Sequence, residues 1–127
     1  MDMLPFCCSM DRIRQGRSSN TEMQRVRLAG RSGVFENTEV EVRREITLGR
    51  NAEVCQLVYP QTSRGISRIH CKIQNTETGV YLTDLGSTNG TFLTDGTRLL
   101  PDRPQRMPDG QGFYLGSRDN GFDILIG

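Results

Sequence analysis

Apolar and polar residues alternate with a period of two in many short segments of the chain from residue 22 onward. The segment TEVEV (residues 38–42) alternates cleanly, and EITLG places Ile46 and Leu48 on one side. This period predicts β-strands with one buried face. Further short apolar segments follow in the order CQLVY, HCKIQ, GVYLTD, TFL, GFYLG and FDILI. Helical periodicity does not persist over three turns in any part of the sequence, so we expect an all-β protein.

Turn signals stand between these segments. They are SG, EN, TG, NG, DG, DG and NG, which begin at Ser32, Glu36, Thr78, Asn89, Asp95, Asp109 and Asn120. Asn-Gly and Asp-Gly pairs between apolar segments indicate tight β-turns. Many short strands with turns every ~6–12 residues predict a β-sandwich or a β-barrel.

The first 20 residues differ from the rest of the chain. Their segment IRQGRSSNT is polar and basic and has no periodicity. We therefore predict a flexible N-terminal tail or linker over residues 1–20 and a folded domain over residues 21–127. The length of 127 residues suits one domain of this kind.

The overall charge argues against two classes of partner. The formal net charge is +1, so no strong field attracts nucleic acid or a membrane surface. We also expect no membrane insertion by this segment, because no apolar run approaches the roughly 20 residues that span a bilayer. A bound anion must therefore be held by local geometry. Lys72 is the single lysine among 16 basic residues, and the others are arginines, whose planar donors match phosphate groups.

The cysteines and the N-terminal sequence bear on cofactors and location. Cys7, Cys8, Cys55 and Cys71 form no CxxC pair, so we expect no metal site and no cofactor. We expect Cys55 and Cys71 to be core residues of strands. The opening MDMLPFCCSM lacks the basic region of a signal peptide, and we predict a reduced, cytoplasmic location.

Three segments at the ends of predicted strands carry the candidate chemistry: Leu48 to Asn51, Gly65 to His70, and Gly86 to Thr91. Loops at one end of a sandwich can form one site although they are distant in sequence. These segments contain no carboxylate, and the nearest one, on Asp84, is expected to face away as a turn-initiating residue. A bound phosphate needs cationic and neutral donors, which are supplied by Arg50, Ser67, Arg68, Ser87, Thr88 and Asn89.

The motifs LGR, GISRIH, DLGSTNGTFL and DGQGFYLG follow one another between about Val26 and Ile126. In this order and at this spacing they resemble those of a forkhead-associated (FHA) domain. The resemblance implies a two-sheet β-sandwich of about 10–11 short, mostly antiparallel strands. It also implies a phosphopeptide-binding module that recognises phosphothreonine in an extended segment of a partner protein, with a Ser/Thr kinase acting upstream.

The resemblance assigns roles to individual positions. Arg50 resembles the phosphate-binding arginine of the family, and Ser67 resembles the serine whose hydroxyl and amide bind the phosphate. Thr88 resembles a residue that lines the pocket near the phosphothreonine. Asn89 resembles the asparagine that hydrogen-bonds the main chain of the bound peptide.

Further positions match less directly or serve the architecture. Arg64 and Arg68 flank the candidate serine and are candidates for reading the phosphate or the residues after it. Gly49, His70 and Gly90 match positions that the family uses for structure, with His70 tying the loop backbone together.

The presence of Ser67 and His70 in one motif raises the possibility of a hydrolase. Residues i and i+3 of an extended chain point to opposite faces, and the sequence has no GxSxG elbow, so we expect no enzyme activity. A second alternative keeps the fold but not the ligand, as a phosphate-independent scaffold or oligomerisation module.

Two further points stay open at the level of the sequence. Asn89 and Gly90 could form a type I′ hairpin turn without any ligand. The tail could also supply the ligand itself if Thr21 were phosphorylated, since Glu22 stands beside it.

Overall fold

The alternating segments form the strands of two β-sheets. The computed structural model describes residues 24–127, and within them ten strands and one short 3₁₀ helix, Gly33–Phe35, are present. The strands are β1 (Val26–Gly30), β2 (Glu39–Glu41), β3 (Glu45–Gly49), β4 (Leu57–Val58), β5 (Cys71–Thr76), β6 (Gly79–Asp84), β7 (Thr91–Leu93), β8 (Gln105–Arg106), β9 (Gly112–Leu115) and β10 (Gly121–Ile126).

Over the described part of the chain, each sheet contains five strands. The first sheet has the order β2-β1-β10-β9-β7, and the second has the order β4-β3-β5-β6-β8. Neighbouring strands run antiparallel, except that β3 and β4 are parallel. This architecture confirms the expected two-sheet sandwich of short, mostly antiparallel strands.

Apolar side chains from both sheets share one core. Leu28, Phe113 and Ile124 of the first sheet and Ile73 and Leu82 of the second are fully buried. Burial of each such side chain stabilises the fold by about 1.5–3 kcal/mol. Aromatic pairs add to the core: the rings of Phe113 and Phe122 stack at 5.5 Å, and Phe35 meets Tyr59 edge-on at 5.0 Å.

Both cysteines of the described part of the chain lie in this interior, as expected. Cys55 is 6% exposed and Cys71 is fully buried. Burial raises the pKa of both thiols above the ordinary value of 9.0, against a smaller opposing effect from a backbone hydrogen bond at Cys55. Both groups are therefore protonated, unreactive core residues near neutral pH.

The structure differs from the sequence pattern in two places. Only Leu57–Val58 of the segment CQLVY is a strand, and Gln105–Arg106 forms an edge strand that the apolar pattern does not signal. The predicted tail over residues 1–20 lies outside the described residues. Over the part that is described, no helix combines the length and the hydropathy of a membrane span.

The register of the second sheet brings the three candidate loops to one end. Leu48 lies opposite Cys71, and Cys71 lies opposite Asp84. These strands alternate in direction. One end of the sheet therefore contains the end of β3, the start of β5 and the end of β6. The loops that follow or precede them therefore leave the sandwich together.

Candidate functional site

Backbone hydrogen bonds join the loop after β3 to the loop before β5. The amide of Arg50 donates to the carbonyl of Ser67 at 3.3 Å, and the amide of Asn51 donates to the carbonyl of Arg68 at 2.9 Å. The amide of His70 donates to the carbonyl of Leu48 at 2.9 Å. The two loops are thus paired over several residues beyond the ends of their strands.

Gly49 permits this close approach. A Cβ atom at this position would stand 2.3 Å from the carbonyl oxygen of Arg68 and 3.0 Å from Sγ of Cys55. A backbone oxygen cannot move away as a flexible side chain can. The glycine is therefore required by packing, in agreement with the architectural role expected for it.

Among the described residues, the guanidinium of Arg50 is held by one hydrogen bond. Its Nε donates to the carbonyl of Ile66 at 2.7 Å, so the side chain is fixed against the neighbouring loop. This contact leaves the outer edge of the fork, Nη1 and Nη2, for another acceptor. None of the ion pairs formed within residues 24–127 includes Arg50.

Ser67 contacts both neighbouring loops. Its hydroxyl oxygen accepts the amide proton of Thr88 at 3.0 Å, which leaves the hydroxyl proton available for donation. Its own amide donates to Nδ1 of His70 at 3.0 Å. The amide is therefore engaged inside the protein, in contrast to the expected amide contact with phosphate, and the group that Ser67 presents is its hydroxyl.

His70 fastens two loops with its two ring nitrogens. Its Nδ1 accepts from Ser67, and its Nε2–H donates to the carbonyl of Gly90 at 2.9 Å. These contacts require the neutral ring with the proton on Nε2. The side chain is completely buried, and burial lowers its pKa below the ordinary 6.5, although the Gly90 contact and the charge of Asp84 act in the opposite direction.

A pH dependence of folding follows from this arrangement. Because the folded pKa of His70 lies below 6.5, the unfolded chain takes up its proton at a higher pH. The free energy of unfolding should therefore be highest above pH 6.5 and should fall as the pH decreases from 6.5 through the folded pKa. Urea unfolding of the wild type and of His70→Gln between pH 5 and 7.5 measures this. Parallel pH profiles of the two proteins would contradict the assignment.

The carboxylate of Asp84 organises the third loop from inside. It is 2% exposed and accepts hydrogen bonds from the amides of Gly86 and Ser87, both at 3.1 Å, and from two hydroxyl groups. The hydroxyl donors are those of Ser87 and, at 2.7 Å, Thr91. Both carboxylate oxygens are thus directed into the loop and away from the surface, as the sequence predicted. Ser87 serves the same internal network and is not part of the outer surface.

Thr88 and Asn89 are exposed on this loop, as is Gly86. The positive-φ residues other than glycine within residues 24–127 are Asn37 and Asp102, so Asn89 does not have the φ that a type I′ turn requires. The turn considered from the sequence is therefore absent. Within the same residues no hydrogen bond engages the side-chain amide of Asn89, and this amide lies near Gly65 across the loop gap.

A fourth loop, the turn between β9 and β10, contacts the site and was not predicted from the sequence. Gly116 donates its amide to the carbonyl of Gly90 at 2.9 Å. A Cβ atom at Gly116 would lie 2.7 Å from the carbonyl of Gly65 and 3.6 Å from Cβ of Asn89. Gly116 is the last residue of the DGQGFYLG motif. Nothing in the sequence, however, distinguishes a glycine that another backbone segment contacts closely from any other turn glycine.

Arg64 and Arg68 are both exposed at the same end of the sandwich. The backbone carbonyl of Arg68 accepts from Asn51 and from Sγ of Cys55 at 3.5 Å, so its position in the loop is fixed while its side chain extends outward. Neither arginine takes part in an ion pair within the described residues.

The arrangement can bind an anion and has no catalytic pair. A half-buried guanidinium, a half-buried hydroxyl group and an exposed side-chain amide lie on adjoining loops, and the nearby carboxylate is buried. Both nitrogens of His70 are bound to backbone atoms, so the imidazole does not serve as a base for the Ser67 hydroxyl. Within residues 24–127, no group of three or more His, Cys, Asp or Glu side chains could hold a metal ion.

Comparison with known families agrees with this geometry. The FHA domain model matches residues 46–116, which include all three candidate loops and more than half of the chain. The chain belongs to the FHA domain family. FHA domains are binding modules, and the family is known for binding phosphothreonine peptides. The two sheets and the loop cluster at one end are thus those of an FHA domain.

Solved FHA domains have the same fold. The FHA domain of an Arabidopsis thaliana hypothetical protein is 27% identical, with a TM-score of 0.67 over 87% of this chain and 92% of that one. A structure from a "Structural and functional analysis of phosphothreonine-dependent FHA domain interactions" is 26% identical, with a TM-score of 0.64 over 81% and 97%.

A third structure supports the fold alone. The FHA domain of the CT664 protein from Chlamydia trachomatis is 23% identical, with a TM-score of 0.66 over 80% of this chain and 96% of that chain. A comparison with curated protein sequences gave no significant match.

Proposed function

We propose that this FHA domain binds phosphothreonine in an extended segment of a partner protein and so mediates phosphorylation-dependent assembly or signalling. The observation that carries the proposal is that the loops of Arg50, Ser67 and Asn89 are joined at one end of the sandwich. The first two are joined by backbone hydrogen bonds, and the third is joined to them by the side chains of Ser67 and His70. In this proposal the outer edge of the Arg50 guanidinium and the Ser67 hydroxyl donate to the phosphate. Asn89 hydrogen-bonds the main chain of the segment.

The remaining candidate residues take secondary roles. Thr88 lines the pocket beside the phosphothreonine, and its amide holds the hydroxyl oxygen of Ser67 so that the hydroxyl proton is directed outward. Arg64 and Arg68 are placed to contact the phosphate or the residues that follow it. Gly49, His70 and Gly90 hold the loops in position.

The charges explain why binding would depend on phosphorylation. A phosphothreonine carries roughly −1.5 to −2 charges near neutral pH, and each hydrogen bond to a charged group contributes about 1.5–3 kcal/mol. Three or four such bonds, less the cost of ordering the segment, correspond to a Kd of about 10⁻⁷ to 10⁻⁵ M. A Ser/Thr kinase acting on the partner would therefore control assembly. The proposal includes the cytoplasmic location expected from the sequence, where such kinases act.

Calorimetric titration with matched phosphothreonine and threonine peptides tests the function. We expect the phosphorylated peptide to bind at least ~100-fold more tightly, because the unmodified threonine gives the guanidinium no anionic partner. Equal affinities would instead support the phosphate-independent scaffold. A phosphoserine peptide is a useful third arm, since a pocket for the threonine methyl group would weaken its binding.

The domain's own tail is a second possible source of the phosphothreonine. Thr21 lies outside the described residues, so this version rests on the sequence alone. If phosphorylated Thr21 occupies the site, the affinity for an external phosphopeptide should fall when Thr21 is phosphorylated. Unchanged affinity would exclude self-recognition while leaving recognition of partners in place.

A further inference from the structure

Two arginines and two aromatic rings form a continuous stack on the outer face of the first sheet. Phe92 of β7 lies opposite Tyr114 of β9 in the sheet register, and their rings stack at 5.2 Å with an interplanar angle of 11°. The guanidinium of Arg98 lies over Phe92 at 5.7 Å, and that of Arg118 lies over Tyr114 at 4.9 Å. We call these four residues the arginine–aromatic stack.

Local backbone contacts hold the two arginines in place. Arg98 lies opposite Phe92 in an isolated antiparallel bridge, which sets its side chain on the same face as the ring. Arg118 Nη1 donates to the carbonyl of Thr94 at 3.1 Å. Guanidinium groups that are stacked in this way keep their N–H donors exposed to solvent. Their side chains are already ordered before a ligand binds, so binding costs less conformational entropy.

The arginine–aromatic stack adjoins the candidate phosphothreonine site. The Nε of Arg98 lies 2.7 Å from the place that a Cβ of Gly90 would occupy, directly beside Asn89. Arg118 stands in the turn that begins after β9, where Gly116 contacts Gly65 and the Asn89 side chain. An extended segment advances about 3.3 Å per residue, so a segment leaving the site over this face reaches the stack within a few residues.

The surface carries two exposed guanidinium groups and has room for a ligand side chain. Arg98 and Arg118 are exposed, and neither takes part in the ion pairs formed within residues 24–127. A pocket of about 170 Å³ beside Tyr114 and Arg118 is lined also by Arg31, Thr94, Phe113 and Gly121. Arg31 is already paired with Asp123, so of these three arginines Arg98 and Arg118 have no ion-pair partner within residues 24–127.

From this geometry we propose that the arginine–aromatic stack binds acidic side chains that lie a few residues from the phosphothreonine of the partner segment. The inference rests on the proposed function and specifies its ligand as a phosphothreonine segment flanked by Asp or Glu. The carboxylate oxygens of these side chains accept hydrogen bonds from the outward N–H groups of Arg98 and Arg118. The aromatic rings fix the distance between the two cations.

A peptide series measures the contribution of the stack. Phosphothreonine peptides with neutral flanks are compared with peptides that carry an Asp pair two to five residues before or after the phosphothreonine. We expect one of the acidic series to bind the wild type roughly 3- to 30-fold more tightly than the neutral peptide. This gain should shrink at high salt, because exposed charge pairs are screened.

Variants assign the gain to the stack. In the double variant Arg98→Gln with Arg118→Gln the gain should disappear, while the affinity for the neutral phosphopeptide stays unchanged. Arg43→Gln is the matched control, because Arg43 is 87% exposed and precedes β3, at the opposite end of that strand from Arg50. The absence of a gain in both acidic series, or a gain that survives in the double variant, would overturn the proposal.

An unphosphorylated acidic peptide separates this inference from the proposed function. If phosphopeptides fail to bind at the loops, the proposed function fails, and nuclear magnetic resonance still reports on the stack. The Nε–H signals of Arg98 and Arg118 should shift when the acidic threonine peptide is added and should stay in place with its neutral counterpart. This result would support binding of acidic segments by the stack. Unchanged signals with the acidic peptides would overturn it.

Discussion

Replacement of Arg50 by alanine is expected to weaken phosphothreonine peptide binding by about 30- to 5,000-fold, equivalent to about 2–5 kcal/mol. The phosphate would lose its positive partner while staying partly desolvated against Ser67. The effect on folding should be smaller, about 1 kcal/mol, since one hydrogen bond to the Ile66 carbonyl is lost. Calorimetric titration with the same phosphopeptide, together with urea unfolding, separates the two effects.

Two comparison variants sharpen this prediction. Arg50→Lys keeps the charge but loses both the Nε contact with Ile66 and the forked donor edge, so its affinity should lie between those of wild type and alanine. Arg43→Ala removes an exposed arginine at the opposite end of β3 from Arg50. This variant should bind the phosphopeptide as tightly as the wild type does. A loss of similar size in Arg43→Ala would mean that overall charge, rather than the Arg50 contact, controls binding.

Replacement of Asp84 by alanine should give the largest loss of folding stability, about 4 kcal/mol. Its carboxylate accepts four hydrogen bonds in the interior, from two amides and two hydroxyl groups. Hydrogen bonds to a charged group each contribute about 1.5–3 kcal/mol, and their donors would be left unsatisfied in a buried position. Because such contacts are not additive, the expected total is below their sum.

The measurement is the free energy of unfolding in urea. Asp84→Asn keeps one oxygen acceptor and should lose about half as much stability as the alanine variant. Asp119→Ala changes an exposed carboxylate and should stay within about 0.5 kcal/mol of wild type. If Asp84→Ala were as stable as Asp119→Ala, the buried network would not hold the loop.

The sequence predicted the sandwich because its strands have one buried and one exposed face. In β5 the burial alternates from Cys71 to Thr76, as the residue pattern does up to Gln74, and Asn75 is a buried polar residue. The edge strand β8 has no apolar residue to signal it, since both Gln105 and Arg106 are exposed. Strand Leu57–Val58 is short because the preceding residues form a loop whose turn bonds return to Asn51.

The sequence indicated the residues of the candidate site, but it did not indicate the hydrogen bonds that connect their loops. Short motifs indicate Arg50, Ser67 and Asn89 as candidates, whereas the partner of each backbone amide depends on how the loops approach. The engagement of the Ser67 amide by His70 is one such case. The negative φ of Asn89 is another, because the Asn-Gly pair by itself favours a hairpin turn that the Asp84 network replaces with a wider loop.

The arginine–aromatic stack is the clearest feature that sequence reading alone does not reveal. Phe92 and Tyr114 belong to different strands, and Arg98 and Arg118 belong to different loops. The sheet register places the two rings side by side, and the bridge at Arg98 and the Thr94 contact of Arg118 add the two arginines. Neither arginine has a motif of its own among the chain's many arginines.

The sharpest test of phosphate recognition measures how much the phosphate contributes to binding, with and without its two proposed donors. This contribution is the difference in binding free energy between matched phosphothreonine and threonine peptides. It is determined for the wild type and for the double variant Arg50→Ala with Ser67→Ala. We expect at least ~3 kcal/mol in the wild type and less than ~1 kcal/mol in the double variant. A contribution that is absent in the wild type, or that persists in the double variant, would contradict the account.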